Sequence, residues 1–301
     1  MGFKLETTND FKELAKANPD LVSLSPEELK RVQQIGLEAV HDIVSVCNDL
    51  GTNYHLSGGS ALGAVRHHGF IPWDDDVDID VARKDLKPFL QEFSARFSDK
   101  YWIHGPNSKD QFCVRCYQIR RKNTVFQGCT DATDEESGIC VDLPVMENTF
   151  DNAVLRKLHG GISLALGLVV SCRRFFMNRR FLMNLAANNE GIKRKFRAKI
   201  MIGALFSFAS LRSWTMLYDR WNALCHNEAS KYVTVPTGRN HFFKETYLRS
   251  AFAATTTGRF EDLEVKIPKD WDSYLRHMYG DYMQIPPEEE REQHLVIKLC
   301  I

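Results

Sequence analysis

Four aspartates crowd into five positions at Asp74-Asp75-Asp76-Val77-Asp78, and an alternating apolar run, Val77 to Val81, follows directly. Few folds tolerate this. The run reads as a strand whose entrance is lined with carboxylates. On a strand, side chains alternate faces, so Asp76 and Asp78 point the same way with Cα atoms about 6.5–7 Å apart. Two carboxylates so placed grip one or two divalent cations. Hard ions such as Mg²⁺ (or Mn²⁺) prefer oxygen ligands and keep phosphate oxygens in their shell. Without a cation the acids repel one another and raise their own pKa values. Asp74 precedes the strand by a turn and offers a further ligand; Asp80 shares the face but lies further along.

A second feature precedes it. Gly58-Gly59-Ser60 follows a short strand, Tyr54 to Ser57, and opens a helix expected over Ala61 to His68. Glycines let backbone approach a phosphate closely, and a helix N-terminus offers free N–H groups and a positive dipole end. Gly58, Gly59 and Ser60 are therefore candidate phosphate binders. Arg66 lies two turns into that helix, within reach of a phosphate oxygen. A third acid is expected from an adjacent strand, and Asp142, inside Ile139 to Val145, is the candidate. Asp76, Asp78, Asp142 and Asp74 form the catalytic set, and the first three the metal set. Two-metal phosphoryl transfer asks little covalent work of a protein; it needs aligned groups and stabilised charge.

Around this site the chain reads as α+β. Ser25-Pro26-Glu27-Glu28 is a helix start, with a capping residue, proline at the first position and a capping box. Apolar residues recur at helical spacing to Leu50, and Gly51 caps the end. Arg83 to Phe97 reads as a helix and Phe112 to Arg120 as a half-buried strand. Residues 151–220 differ: no proline, few strand signals, and 13 Lys/Arg against three acidic residues, a net charge of 13 − 3 = +10. The whole chain carries 39 of each sign, so net charge by itself says nothing about partners. The expected division is a catalytic α/β core with an N-terminal helix over 1–150, a basic helical segment over 151–230, and a C-terminal segment over 231–301 packing on the core.

The polar stretch Met1 to Asp20 lacks the apolar core of a signal peptide. No uninterrupted apolar run reaches the roughly 18 residues of a membrane span; Ile162 to Cys172 is the longest. Eight scattered cysteines show no disulfide framework, which points to a reducing cytoplasm. Cys113 and Cys116 stand three apart, on opposite sides of a strand, and match no zinc template; they read as core or surface thiols.

The residues from Leu56-Ser57-Gly58-Gly59-Ser60 through Arg66-His67-His68-Gly69-Phe70-Ile71-Pro72-Trp73-Asp74-Asp75-Asp76-Val77-Asp78-Ile79 resemble the signature of the LicD family, related to the fukutin-type proteins within the nucleotidyltransferase-fold superfamily. Tyr274 to Pro287 is similar to that family's C-terminal signature. The resemblance covers roughly residues 45–295 with a variable middle. It implies transfer of a phospho-alcohol, such as phosphocholine, from a CDP-linked donor to a hydroxyl of a cell-surface glycan or its lipid-linked precursor. It also implies that Asp76 and Asp78 carry the metal pair, Asp74 assists, Asp142 is the third acid, and Gly59 and Ser60 hold phosphate. Asp80 stands where the family more often has a small or apolar residue, and Leu143-Pro144 shortens the usual run after the third acid.

His67 beside the site reads either as a phosphate contact or as packing on Trp73. Trp73 reads as a stacking surface for a base or choline headgroup, or as buried packing. The basic segment 151–220 reads either as a solvated cationic face or as a binding surface for an anionic membrane, which would place the chain peripherally on the inner face. Nucleic acid is not expected as a partner. Two other functions stand beside phospho-alcohol transfer: nucleotidyl transfer to a small molecule or RNA, and non-catalytic glycan or membrane binding.

Overall fold

The computed structural model describes residues 10, 11, 13, 14, 24–129, 131, 133–291 and 295–301; most of the polar N-terminal stretch read above lies outside them. Helix α1, Pro26–Leu50, forms where the capping signals place it. Ser25 Oγ accepts from Glu28 N at 3.2 Å, and the Glu28 carboxylate accepts from Ser25 N at 2.8 Å. Gly51 closes the helix in the left-handed region, φ 65°.

Strand β1, Tyr54–Leu56, leads into α2, Gly58–Arg66; β2, Val77–Ala82, leads into α3, Arg83–Phe97. Then come β3, Tyr101–His104; β4, Tyr117–Arg121; β5, Val125–Gly128; β6, Cys140–Leu143; and β7, Val145–Thr149. A four-helix insertion follows: α4, Ala153–Met177; α5, Arg179–Leu185; α6, Glu190–Leu205; α7, Leu211–Asn222. The chain returns through β8, Tyr232–Thr234; α8, His241–Lys244; β9, Thr246–Leu248; α9, Arg249–Phe252; the hairpin β10–β11, Thr255–Phe260 and Leu263–Pro268; α10, Trp271–Tyr279; and β12, Val296–Cys300.

The main sheet runs β3-β4-β6-β2-β7-β8-β9, with β1 also pairing β2. Strands β6 and β7 lie along one edge of β2, both parallel to it and in one register: Asp78 opposes Asp142 and Val81 opposes Val145. Pro144 splits them, although its carbonyl still accepts from Val81 N at 3.0 Å. Antiparallel β1 flanks the other edge. The fold is thus α+β, a mixed sheet flanked by helices and interrupted by a basic helical insertion between the paired strands β7 and β8.

The principal core sits under this sheet. Ile79, Val81, Val141 and Leu143 from its centre pack with Val40, Ile43 and Phe89 of the helices. Residues beyond 230 join it, among them Val233, Phe252, Phe260 and Leu275. The insertion builds small cores of its own: Phe175, Leu182 and Phe196 form one, and Val170, Leu211 and Tyr218 join Cys113 in another.

Two expectations change. Phe112 to Arg120 alternates, yet the strand starts only at Tyr117. Phe112 N and Cys113 N both bond Lys109 O, a turn that carries Cys113 into the helical cluster. Packing against α7 therefore overrides the local pattern. Helix α4 is also long and apolar enough to cross a membrane by length and composition. Counting uninterrupted apolar residues missed this, because Arg156-Lys157 and Arg173-Arg174 cut the run short while the helix stays apolar on average.

Candidate active site

Ser57, just past β1, is extended, and Gly58 turns the chain through φ +52° into α2. Only glycine makes that turn without strain. The turn is fixed to β2 by short bonds. Ser57 N donates to Asp78 O at 3.1 Å, Asp78 N donates to Ser60 Oγ at 2.9 Å, and Ser57 Oγ donates to Asp80 Oδ1 at 2.6 Å. Helix α2 thus begins beside the first residues of β2. Space there is tight: a β-carbon on Gly58 would lie 3.0 Å from Asp78 Oδ2, and one on Gly59 2.7 Å from Asp74 Oδ2.

The acidic run enters as a loop. Strand β2 begins at Val77, so alternation does not extend back through Asp76. Asp74 N bonds Ile71 O at 2.9 Å, and Gln33 Nε2 of α1 donates to Asp74 O at 2.8 Å, pinning the loop from outside. Carboxylate oxygens of Asp74, Asp75 and Asp76 come within 4.8 Å of one another. Asp75 is buried among them, 4% exposed.

Asp78 and Asp142 stand side by side on parallel strands. Burial pushes the Asp78 carboxyl well above the usual carboxylate range, and Asp76, Asp142, Asp80 and Asp74 push it further. Asp80 lies deeper, 1% exposed, and burial raises it to about 8 against the opposing pull of Ser57. Asp142 is oriented by a residue that the sequence reading missed: Gln118 Nε2 donates to Asp142 Oδ1 at 2.8 Å. Gln118 is itself held by Arg120, whose Nε and Nη2 donate to Gln118 Oε1 at 3.1 and 2.9 Å. The alternation of Gln118 and Arg120 on a strand was the available signal, but their pairing opposite Asp142 and Cys140 is a matter of register.

The C-terminal segment completes the wall. Gly58 N donates to Tyr274 Oη at 2.8 Å, and Tyr279 Oη would lie 3.8 Å from a β-carbon on Gly58. Burial and then Asp78 raise the Tyr279 hydroxyl, while Arg239 pulls it down. Arg239 is thus a cation near Tyr279, a position that no motif announced.

The other expected residues stand slightly apart. Arg66 Nη1 donates to the carbonyls of Tyr282 and Gln284 at 2.6 and 3.2 Å, so it fastens the C-terminal segment to α2. His67 accepts from Arg66 Nε at 2.9 Å and meets Trp73 edge-on at 6.4 Å. Burial and then Arg66 lower its pKa, so the ring is neutral near pH 7. The Arg291 guanidinium lies over the Trp73 ring, 4.5 Å from its centre.

All eight cysteines are free. Cys113 packs against Thr215, its sulfur 3.8 Å from the hydroxyl. Cys116 and Cys140 flank Asp142, and burial, then that carboxylate, holds both thiols well above their ordinary range. They are protonated neighbours of the acids, unsuited to holding zinc as thiolates.

Parts of this chain are similar in sequence to known proteins. Residues 51–131 match the family described as LicD/FKTN/FKRP, nucleotidyltransferase domain. The lipopolysaccharide cholinephosphotransferase LicD of Haemophilus influenzae is 21% identical over 271 residues, which is 88% of this chain and 95% of that protein. The human ribitol 5-phosphate transferase FKRP is 45% identical over 49 residues, 16% of this chain and 10% of that protein. An uncharacterized protein of Rickettsia prowazekii, RP689, is 36% identical over 114 residues, 35% of this chain and 43% of that protein. The glycine turn and acidic loop, brought together at one end of a mixed sheet, lie within the stretch that is similar to the nucleotidyltransferase domain of the LicD/FKTN/FKRP family.

Proposed function

We propose that this chain is a metal-dependent phosphotransferase that moves a phospho-alcohol, phosphocholine first among the candidates, from a CDP-linked donor to a hydroxyl of a glycan or its lipid-linked precursor. The observation that carries this reading is the pairing of Asp78 with Asp142 across parallel strands, with Asp74 and Asp76 close by and the Gly58–Ser60 turn packed against them. The named relatives, a cholinephosphotransferase and a ribitol 5-phosphate transferase, both move phospho-alcohols.

The donor set consists of oxygens only, and its like charges oppose one another, an arrangement that a hard divalent cation relieves. Asp76, Asp78 and Asp142 would hold Mg²⁺ or Mn²⁺, which when bound offsets negative charge on phosphate oxygens. The chain's own groups do the remaining work. Tyr274 already accepts from Gly58 N, so the next N–H groups of the first helical turn, Gly59 and Ser60, face an anion. Gln118 keeps Asp142 turned toward Asp78. Arg239 adds positive charge beside Tyr279. The acceptor hydroxyl attacks the phosphorus bearing the alcohol, the bond to the bridging oxygen breaks, and CMP leaves. A lipid-linked acceptor places this reaction at the inner face of a membrane.

Calorimetric titration with CDP-choline, CDP-ribitol, CDP-glycerol and CTP in the presence of Mg²⁺ tests the donor, and product analysis tests the reaction. Release of CMP supports phospho-alcohol transfer. Release of pyrophosphate from CTP would instead establish nucleotidyl transfer. Asp78→Asn and Asp142→Asn should each remove turnover while the protein stays folded; full activity in either refutes the assignment.

A further inference from the structure

The helical insertion buries one side and leaves the other apolar. In α4 the inward positions His159, Ser163, Gly167, Val170 and Arg173 are covered by protein. The outward positions Val154, Leu158, Leu164 and Leu168 are exposed, Val154 by 74%. In α6 the spacing of Arg194, Arg197, Met201 and Leu205 puts them on one face, and all four are exposed. Met201 and Leu205 are 72% and 73% open, and Phe208, just past the helix end, 78%.

The two helices run antiparallel. Phe175 and Phe196 rings meet at 5.1 Å, Lys199 Nζ donates to Ser171 Oγ at 3.1 Å, and Arg173 Nη1 donates to Gly203 O at 2.9 Å. A β-carbon on Gly203 would lie 2.1 Å from Cys172 O, so the close approach depends on glycine. The C-terminal end of α6 therefore runs toward the middle of α4, where Leu164 and Leu168 are exposed. Single exposed apolar residues need no explanation, but a shared apolar face does.

Charge says what covers it. Residues 151–220 carry +10, and their three acids are already engaged. Asp219 accepts from Arg83, Glu190 from Lys193 with Arg197 4.0 Å away, and Asp151 from Lys231 N. Lys157 stands exposed among Val154, Leu155 and Leu158, and Arg194 and Arg197 continue the stripe of Met201 and Leu205. Exposed apolar side chains flanked by exposed cations, in a segment of net charge +10, match an anionic lipid surface. Helix α4 keeps one side on protein. Its inner face is bound to protein at both ends, through His159 Nε2 to Trp221 O at 2.8 Å and Arg173 to Gly203 O. A crossing helix would abandon these contacts.

We propose that the outer face of α4 and α6 docks on an anionic lipid surface, with Met201, Leu205 and Phe208 entering the boundary between headgroups and acyl chains while Lys157, Arg194 and Arg197 pair with lipid phosphates. This deepens the membrane placement proposed above but does not rest on the transfer reaction, because vesicle binding is read without donor or acceptor. The full chain is sedimented with sucrose-loaded vesicles of phosphatidylcholine alone or with 30% phosphatidylglycerol (about 0.1 M salt). Binding to the anionic vesicles only is expected. Leu205→Ser with Phe208→Ser should lower partitioning at least tenfold, as should Arg194→Gln with Arg197→Gln, at about fivefold per cation. Melting temperatures should hold, since these side chains are exposed. A wild-type chain left in the supernatant with both vesicles overturns the proposal, as does equal binding to both compositions. Light scattering supplies the last arm: a dimer that the Leu205→Ser, Phe208→Ser variant converts to monomer would show that a second copy covers this face instead.

Discussion

Gly58→Ala separates the architecture of the turn from its chemistry. Gly58 sits at φ +52°, a region that costs alanine about 1–2 kcal/mol. At about 2.1 cal/mol/K of unfolding entropy per residue, 301 residues give roughly 0.6 kcal/mol/K, so the melting temperature should fall by roughly 2–3 °C. The new β-carbon also arrives 3.0 Å from Asp78 Oδ2 and forces the carboxylate to give way. Misplacing a reacting group by as much as 1 Å costs on the order of 100-fold in rate. Gly58→Asn supplies the control: asparagine enters the left-handed region several-fold more readily than alanine, yet carries the same β-carbon. Its stability should recover most of the loss while its activity does not. The assay is CMP release from CDP-choline with Mg²⁺, alongside thermal melting of all three proteins. If Gly58→Asn turned over at the wild-type rate, close approach of the backbone to Asp78 would have no part in function and the reasoning would fail.

Gln118→Leu removes the donor to Asp142 and the acceptor for Arg120, so turnover should fall about 10–100-fold with a higher apparent Mg²⁺ requirement; an unchanged Mg²⁺ titration would show that Gln118 is only packing. Arg83 Nε donates to both Glu147 oxygens at 3.0 Å and its Nη2 to Asp219 Oδ1 at 2.7 Å, tying α3 to β7 and to α7 of the insertion. Arg83→Met strands the Glu147 carboxylate, 2% exposed, and should cost about 3–5 kcal/mol, or roughly 5–8 °C in thermal melting. His55 is fully buried, with a pKa lowered to about 4 by burial. Below pH 6.5 the unfolded chain takes up a proton that the folded chain refuses, so this stability is present above pH 6.5 and is lost as pH falls toward 4, by about 3 kcal/mol in all. Melting curves from pH 7.5 to 4.5 should therefore be steeper for the wild type than for His55→Leu, and parallel curves would count against the assignment.

Local chemistry in the sequence determined α1, because Ser25, Pro26, Glu28 and Gly51 are consecutive statements about helix ends. It also determined the glycine turn, the entry of Asp78 into β2, and the helical character of the basic insertion. These depend on neighbours a few residues apart. Register and packing decided the rest. Asp142 lies 64 positions after Asp78, and only the pairing of β6 with β2 sets them side by side. Gln118 reaches Asp142 from β4, and Tyr274 and Tyr279 reach the glycine turn and Asp78 from the C-terminal segment, distances along the chain that no periodicity encodes. Arg66 is expected to reach a phosphate oxygen, and Trp73 to stack on a base or headgroup or to pack; the folded C-terminal segment engages both, through the Tyr282 and Gln284 carbonyls and the Arg291 guanidinium. The charge of the insertion was legible as a count; which of its faces stays apolar and open was decided by the packing of α6 against α4, because burial is a property of the pair and not of either helix alone.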